Sequence, residues 1–386
     1  MDAFLPYGHQ TIDENDILAV ADSLRGEWLT TGPTIQAFEQ AFASCVGASH
    51  AVAVSSGTAA LHAAMHALEL GPKDEVIVPA ITFVASANAA IYQGATPIFA
   101  DVLEDSLLID PAAVESCLSP RTRAIVAVDY AGQPCDYDAL EDISERQGLA
   151  IISDACHALG GSFKGRKVGT LATLSTFSFH PVKHMTTGEG GMVTTERADL
   201  AEQMRRFRNH GIDSDHRRRS EKGTHAYAMV DLGFNYRLTD FQCALGLRQL
   251  QHIDAWVARR REIAERYNGL LSDLNGVQPL RAAEDLVNSY HLYVVKIGAP
   301  GLPLDRDNVF TAMRERNIGV NVHYQPVYLH PYYRERFGYA PGLCPTAEAV
   351  YGQILSLPMY PGLTDDEIDR VANELADVIQ AAHIAG

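Results

Sequence analysis

Short apolar stretches alternate with helical patterns over the first half of the chain. Seven stretches have the length of strands: AVAV at 51–54, EVIVPA at 75–80, PIFAD at 97–101, AIVAVDY at 124–130, LAIISD at 149–154, STFSFH at 175–180 and GMVTT at 191–195. Helical candidates lie between them at 82–93, 111–118 and 136–147. Near-continuous apolar strands separated by helices are typical of a mostly parallel sheet covered on both faces. The pattern therefore predicts an α/β fold around a seven-stranded sheet.

The second half of the chain begins with a long helical region, from about Thr239 to Leu274, of the kind that often bridges two domains. After it come a strand in SYHLYVVKIG, a helix near 304–317, a strand in IGVNVHY and helices near 346–354 and 365–382. A chain of 386 residues exceeds the usual size of one core. We therefore expect a large domain over 1–250 and a small C-terminal α/β domain over 251–386, joined by the long helix.

Reactive side chains follow two of the predicted strands. Asp154 ends LAIISD, while His180 and Lys183 follow STFSF and precede the glycine-rich turn TTGEGG. In such sheets, ligands bind beyond the carboxyl ends of the strands. A lysine amine can hold an aldehyde covalently, and a carboxylate can keep a pyridine nitrogen protonated; pyridoxal phosphate needs both. The pair therefore indicates a pyridoxal phosphate site, although a lysine near a strand end is otherwise a solvated charge.

A candidate phosphate site lies upstream, where AVAV runs into Ser55, Ser56, Gly57 and Thr58 at the start of a helical stretch. The first N–H groups of a helix lack intrahelical acceptors, and the helix dipole favours an anion there. The chain contains neither GxGxxG nor GxxxxGK[ST], which excludes the dinucleotide fingerprint and the P-loop. Such a helix start is often only structural, but its place upstream of Asp154 and Lys183 favours a phosphate site.

Composition narrows the classes of partner. With 47% hydrophobic residues the chain is ordinary globular material, and its net charge of -17 argues against a nucleic-acid binder. Two local arginine clusters, 205–208 and 217–219, are either solvated surface charges or a binding site for an anion such as a diphosphate. A polar stretch over 213–225 is expected to be a mobile or partner-covered loop.

The six cysteines form no CxxC pair and no regular framework, which is typical of reduced thiols. The N-terminus MDAFLPYGHQ lacks a basic region followed by an apolar run, and no apolar stretch approaches membrane-spanning length. We therefore expect a cytoplasmic protein without membrane contact.

Metal and thiol chemistry are alternatives with weaker support. His62 and His66, and likewise His180 and His184, are spaced four apart, but neither pair has the glutamate of HExxH. Chance spacing among 15 histidines explains both pairs, so we expect no metal site. Cys156 beside His157 could form a nucleophile with its base, but buried packing is the preferred interpretation for this thiol.

Six segments together resemble the DegT-type sugar-nucleotide aminotransferases over nearly the whole chain: VSSGTAALHAA, VIVPAITFVASANAAIYQGATPIFADV, ISDACHALGG, TFSFHPVKHMTTGEGGMV, RNHG and GFNYRLTDFQCALGLRQL. The resemblance implies the pyridoxal-phosphate-dependent transferase fold of type I, the aspartate aminotransferase-like architecture. Within the family, SFHPVKHMTTGEGG and NVHYQPVY are most similar to the UDP-4-amino-4,6-dideoxy-N-acetyl-β-L-altrosamine transaminases of pseudaminic acid synthesis.

This resemblance implies the cofactor contacts. Lys183 would form the Schiff base with pyridoxal 5'-phosphate and shuttle the proton, and Asp154 would pair with the ring nitrogen. The other cofactor-binding residues would be Ser56, Gly57, Thr58, Phe83, His157, Ser178 and Asn235. Because Asn235 resembles a residue that reaches the cofactor of the neighbouring subunit, a homodimer with shared active sites is implied.

The resemblance also implies the substrates. Glutamate would donate the amino group, leaving pyridoxamine phosphate as intermediate, and the acceptor would be the C4 ketone of a nucleotide-linked 4-keto-6-deoxy sugar. The acceptor of the most similar relatives is UDP-2-acetamido-2,6-dideoxy-β-L-arabino-hex-4-ulose. The residues that would contact the nucleotide sugar are Tyr7, Glu27, Trp28, Leu29, Thr30, His180, Asn321, His323 and Tyr324.

Three rival functions stay open. Another nucleotide or a 3-keto sugar would be served equally well by the same catalytic residues. A sugar dehydratase of the same fold is disfavoured, since such relatives carry histidine where this chain has Lys183. A pyridoxal-binding regulator would carry a DNA-binding domain ahead of the fold, whereas the resemblance here starts near residue 7, so we do not expect one.

Overall fold

The computed structural model describes residues 3–214, 219, 223–298 and 305–385. Its helices are α1 (Glu14–Arg25), α2 (Pro33–Val46), α3 (Gly57–Ala67), α4 (Val84–Tyr92), α5 (Pro111–Ser116), α6 (Tyr137–Gln147), α7 (Ala198–Phe207), α8 (Asp240–Leu250), α9 (Ile253–Leu271), α10 (Arg306–Glu315), α11 (Pro331–Phe337), α12 (Pro345–Tyr351) and α13 (Asp365–Ala385).

The strands are β1 (His50–Val54), β2 (Glu75–Pro79), β3 (Thr96–Ala100), β4 (Thr122–Val128), β5 (Ala150–Asp154), β6 (Ser162–Phe163), β7 (Arg166–Lys167), β8 (Leu174–Ser178), β9 (Gly191–Thr195), β10 (Val277–Pro279), β11 (Leu286–Val287), β12 (Tyr293–Ile297) and β13 (Ile354–Leu357). The seven strands predicted from the apolar stretches are all present and form one sheet, in the order β1-β9-β8-β5-β4-β2-β3. The sheet is parallel except for β9, which runs antiparallel to both neighbours. The predicted α/β fold is therefore confirmed.

Helices bury both faces of this sheet. Strands β2 and β9 are buried at every position. Nearly every residue of α3 is buried as well, and its sequence GTAALHAAMHA is rich in alanine. Small side chains let this helix lie close to the sheet, which brings its N-terminus next to the ends of β5 and β8. Asp154, the last residue of β5, lies beside Val128 of β4 and Thr176 of β8.

A second hydrophobic cluster lies in the C-terminal part of the chain. Strands β10, β12 and β13 form an antiparallel sheet, and residues of α9, α10 and α13 pack with it. The N-terminal segment joins this cluster through Leu5, which is buried and pairs with Ile318. A large and a small domain with a boundary near residue 250 remain a prediction.

The structure corrects two details of the second half. The long helix expected over 239–274 is two helices, because hydrogen bonds tighten to an i to i−3 pattern at Gln251 and His252. The break lets α8 pack on α1 and α2 while α9 packs on α13. IGVNVHY forms only isolated bridges at Ile318 and Asn321, and the third strand of the small sheet is β13 instead.

Part of the polar stretch 213–225, with Arg217 and Arg218, lies outside the described residues. Among the helices that the structure does describe, none is both long and apolar enough to cross a membrane.

Candidate active site

Lys183 lies in the turn that follows β8. Its backbone N–H donates to the carbonyl of His180 at 2.9 Å, and its side-chain Nζ lies 3.5 Å from Nε2 of His291. The side chain is partly buried, and desolvation lowers its pKa, while the nearby Cys156 and Asp154 act in the opposite direction. A lysine with a lowered pKa is uncharged more often at neutral pH, which is the form that attacks a carbonyl.

Asp154 presents its carboxylate at the end of β5. The hydroxyl of Ser86 donates to its Oδ2 at 2.6 Å, and the N–H of Cys156 donates to its Oδ1 at 3.3 Å. Ser86 is held in turn by Thr82 at 2.7 Å. The side chain is 6% exposed, and a buried carboxylate needs a cationic partner to offset its desolvation. A protonated pyridine nitrogen would be such a partner.

The N-terminus of α3 lies against the end of β8. Ser56 caps the helix by accepting from the N–H of Ala59 at 3.0 Å, and the described residues offer the N–H groups of Gly57 and Thr58 no acceptor. A Cβ added to Gly57 would lie 2.8 Å from Cβ of Ser178, so only glycine allows this close approach. The N–H groups of Gly57 and Thr58 and the hydroxyls of Ser56 and Ser178 therefore lie close together, in an arrangement that can bind a phosphate.

Aromatic side chains flank the space between Lys183 and Asp154. His157 is buried, its Nε2 lies 3.3 Å from the hydroxyl of Tyr324, and its Nδ1 has no partner among the described residues. Phe83 is 55% exposed, and its ring centroid lies 6.0 Å from that of Tyr324. These rings can cover the faces of a flat cofactor ring.

A second polar group comes from the C-terminal part of the chain. His323 bonds through Nδ1 to the hydroxyl of Ser356 at 2.8 Å, and its Nε2 lies 3.3 Å from the amide of Asn321. The ring of Tyr7 lies 5.4 Å from that of His323. Desolvation and the nearby Lys183 lower the pKa of His323 to about 3, so this imidazole is neutral at physiological pH. The predicted substrate residues Tyr7, Asn321, His323 and Tyr324 thus form one cluster beside Lys183.

Other predicted site residues lie elsewhere in this single chain. Asn235 is exposed and pairs with Asn209. The segment 27–30 is exposed and attached to the start of α8, with the N–H of Asp240 donating to the carbonyl of Leu29 at 3.0 Å. His180 is exposed, and its backbone rather than its ring contacts Lys183. The described contacts do not bring Asn235 or segment 27–30 to Lys183.

The first arginine cluster lines an open cavity of 620 Å³ between α2 and α7. Arg208 donates to Glu39 at 2.5 Å, and Arg205 lies 3.7 Å from the same carboxylate. Part of the positive charge of this cavity is therefore already compensated within the chain.

The residues considered for metal binding or for thiol catalysis make ordinary structural contacts. His62 is buried, with Nδ1 3.1 Å from the hydroxyl of Tyr236, and Nε2 of His66 lies 2.8 Å from Oδ2 of Asp231. The described residues contain no group of three potential metal ligands. Burial raises the pKa of the Cys156 thiol well above its usual value, and Asp154 adds to the effect, which opposes a thiolate nucleophile.

Three buried polar residues near the site were not predicted. His291 contacts Lys183, Arg260 donates to three backbone carbonyls, and Asp129 accepts hydrogen bonds at the end of β4. Two of them had a signal in the sequence, since His291 interrupts SYHLYVV and Asp129 ends AIVAVD just as Asp154 ends LAIISD. Arg260 lies in a run of three arginines and has no comparable signal.

Comparisons with known proteins find relatives that match nearly the whole chain. The model of the DegT/DnrJ/EryC1/StrS aminotransferase family matches residues 10–376. The spore coat polysaccharide biosynthesis protein SpsC of Bacillus subtilis (strain 168) is 40% identical over 381 residues, which cover 98% of each chain.

Solved structures of similar proteins cover the chain as completely. Spr1654 of Streptococcus pneumoniae, in its PMP form, superposes with a TM-score of 0.92 at 30% identity, over 98% of this chain and 100% of that one. Its PLP form gives a TM-score of 0.91, also at 30% identity, over 98% and 99%. PseC of Helicobacter pylori, an aminotransferase involved in the biosynthesis of pseudoaminic acid, gives 0.91 at 31% identity, over 98% and 100%.

Proposed function

Since the chain belongs to the DegT/DnrJ/EryC1/StrS aminotransferase family, we propose that it moves an amino group from glutamate to C4 of a nucleotide-linked 4-keto-6-deoxy sugar. The chain is a pyridoxal-phosphate-dependent sugar aminotransferase of this family. The choice of donor, sugar position and nucleotide is the part that we propose.

One observation carries the assignment of the residues: a partly buried lysine and a buried carboxylate lie at the same edge of one parallel sheet. Each of the three reactive or charged groups of pyridoxal phosphate has a chemically suitable partner at this edge. Lys183 matches the aldehyde, Asp154 matches the ring nitrogen, and the start of α3 with Ser178 matches the phosphate. The residues present therefore fit this cofactor.

Each side chain then has a defined task. Lys183 would hold the cofactor covalently and would move a proton at its Nζ. Asp154 would keep the ring nitrogen protonated through its negative charge, and its carboxylate is fixed by Ser86 and shielded from water. When bound, the cofactor supplies an electron sink for the carbon next to the transferred nitrogen. His157 and Phe83 would flank the ring of the cofactor.

The acceptor that we propose is UDP-2-acetamido-2,6-dideoxy-β-L-arabino-hex-4-ulose, in a pathway to pseudaminic acid. Support comes from the 31% identity with PseC and from the cluster of Tyr7, Asn321 and His323, which offers neutral hydrogen-bonding groups beside Lys183. Neutral groups of this kind suit sugar hydroxyl and acetamido groups.

We also propose a homodimer with shared active sites. Tyr227, Met229, Val230, Leu232 and Phe234 form an exposed apolar strip directly before Asn235. A strip of this kind is costly to leave in water, and a second copy would cover it. Asn235 would then reach the phosphate site of the partner.

The assignment of Lys183 is tested by absorbance. We expect the purified protein to absorb near ~400 nm, as Schiff bases of pyridoxal phosphate do, and to lose this band in Lys183→Ala. The matched control is Lys167→Ala, since Lys167 is exposed and only donates to the carbonyl of Cys45 at 2.8 Å. A band that survives in folded Lys183→Ala would refute the assignment.

The substrate is tested with glutamate and a panel of UDP-linked and dTDP-linked 4-keto and 3-keto sugars. We expect the UDP-linked 2-acetamido-2,6-dideoxy-4-keto sugar to give the highest kcat/KM and a 4-amino product by mass spectrometry. Faster turnover of a dTDP-linked or 3-keto sugar would overturn the substrate and leave the aminotransferase in place.

A further inference from the structure

A group of buried imidazoles surrounds the amine of Lys183. His291 is 4% exposed, and its Nε2 lies 3.5 Å from Nζ of Lys183, at the long end of hydrogen-bond distance. Its ring centroid lies 4.3 Å from that of His157 and 5.7 Å from that of His184. Of these three rings, only His291 has a nitrogen this close to the lysine among the described contacts.

The backbone of His291 is fixed from two sides. On one side, the N–H of Ser289 donates to the carbonyl of Gly132 at 3.0 Å, and that of Leu292 donates to the carbonyl of Ala131 at 3.2 Å. On the other side, the buried guanidinium of Arg260 donates to the carbonyl of Tyr290 at 3.1 Å and to that of His291 at 3.4 Å. The backbone that carries this ring is therefore fixed within the chain itself.

The close approach of Gly132 explains part of this fit. Gly132 has φ of +108° and a Cβ there would lie 2.9 Å from the N–H nitrogen of His291. Only glycine permits both this backbone conformation and this contact. The turn after β4 and the segment before β12 thus lock together directly beside the site.

The surroundings of His291 set its charge and its tautomer. The titratable groups that face it are Lys183, His157, His184 and Arg260, and burial together with these groups lowers its pKa well below the usual value. The ring is therefore neutral. Its Nδ1 has no partner among the described residues, and a buried N–H without an acceptor costs more than a bare ring nitrogen. The proton then belongs on Nε2, which faces the amine of Lys183.

We propose that His291 is a positioning residue for Lys183, whose Nε2–H donates to the lone pair of the free ε-amine and favours its uncharged form. This inference rests on the proposed role of Lys183. A donor can stabilise the lone pair of a neutral amine but not an ammonium group, which has none. The uncharged amine is the form that attacks an aldehyde and accepts a proton. His291 thus keeps Lys183 ready whenever the amine is not bonded to the cofactor.

The test compares two polar variants of His291 that differ in reach. His291→Gln can place its amide N–H near the position of Nε2, whereas the shorter amide of His291→Asn ends near the position of Nδ1. The full-length chain, freed of cofactor, is mixed with pyridoxal phosphate, and the rate of Schiff-base formation is followed by absorbance from pH 6 to pH 10.

In His291→Asn, we expect the pH midpoint of this rate to rise by about 0.7 unit and the rate at pH 7 to fall about fivefold, the effect of one neutral hydrogen bond. His291→Gln should keep the wild-type midpoint. The control is His184→Asn, because His184 is equally buried but bonds the carbonyl of Ser289 at 3.0 Å rather than Lys183. This control should change thermal stability without moving the midpoint.

An unchanged midpoint in His291→Asn, or an equal shift in His291→Gln, would overturn the proposal and leave His291 as packing. An equal shift in His184→Asn would overturn it as well. The absence of any Schiff base in the wild type would be a different failure, since it would remove the role of Lys183 itself.

Discussion

Two carboxyl groups at neighbouring strand ends have different surroundings. Asp154 lies within the electrostatic reach of Lys183, whereas the described donors to Asp129 are neutral: the N–H of Cys135 and the hydroxyls of Tyr137 and Ser153. The hydroxyl of Tyr137 donates to Asp129 Oδ1 at 2.9 Å, and Ser153 lies 3.1 Å from Oδ2. Burial raises the pKa of Asp129 to about 7, against these hydrogen bonds, and the charge of Asp154 adds to the rise. Asp129 is therefore largely protonated in the folded protein at mildly acidic pH.

This difference predicts a pH effect on stability. The carboxyl has a pKa of 3.8 as its ordinary value and about 7 in the fold, so the unfolded chain releases the proton first. Stability should thus fall as pH rises from about 4 to about 7, by up to ~4 kcal/mol. Asp129→Asn imitates the protonated form and should lack this fall. Urea unfolding of both proteins at pH 5 and pH 8 measures it, and parallel changes in both would contradict the prediction.

At the scale of elements, the proposed phosphate site depends on the close approach of α3 to β8. Gly57 begins α3 and faces Ser178, so the helix N-terminus and the serine hydroxyl meet only because no Cβ separates them. Alanine at this position would push the two elements apart, although helix propensity alone would favour it. Packing therefore outweighs helix propensity at this helix start.

Gly57→Ala should raise the Kd for pyridoxal phosphate at least about tenfold, because the displaced N–H groups hold the phosphate less well. Equilibrium titration by absorbance measures this. The matched control is Gly269→Ala in α9, where a Cβ meets no atom within 4 Å. That change should leave the Kd unaltered and stabilise the fold by up to about 1 kcal/mol. Equal Kd values in both variants would place the phosphate elsewhere.

At the scale of the whole molecule, the proposed homodimer would give a role to predicted site residues that lie away from Lys183. Asn235 and the segment 27–30 are exposed, and no described contact joins them to Lys183. The strip directly before Asn235 is apolar and also exposed. A partner would bury the strip and complete the site in one step. On this proposal, the single chain contains Lys183 but not every residue that we assign to its site.

Mixed dimers test this arrangement. Lys183→Ala and Asn235→Ala should each be nearly inactive alone, because every site then lacks one group. Co-expressed with different tags, they should recover roughly a quarter of wild-type activity, since half of the dimers are mixed and each has one intact site. Activity that stays at the level of the single variants would show that Asn235 does not serve its partner.

The sequence by itself predicted the seven strands and the meeting of Asp154 with the residues after β8. Both depend on local patterns, because apolar stretches of strand length define a sheet and parallel strands end at the same edge. The proposed phosphate site at Ser56, Gly57 and Thr58 followed from another local pattern, small hydroxyl-bearing residues at the start of a helix. These features lie along the chain and need no knowledge of distant contacts.

Only the tertiary structure decided which distant segments face the site. It divided the expected long helix at Gln251, brought Tyr7 to His323 across more than 300 positions, and placed His291 against Lys183. Gly132 and Arg260 both contact the backbone of His291, and the three residues come from separate segments of the chain. The periodicity of the sequence does not predict such contacts. They depend on how distant segments pack together, because each buried polar group needs a hydrogen-bond partner.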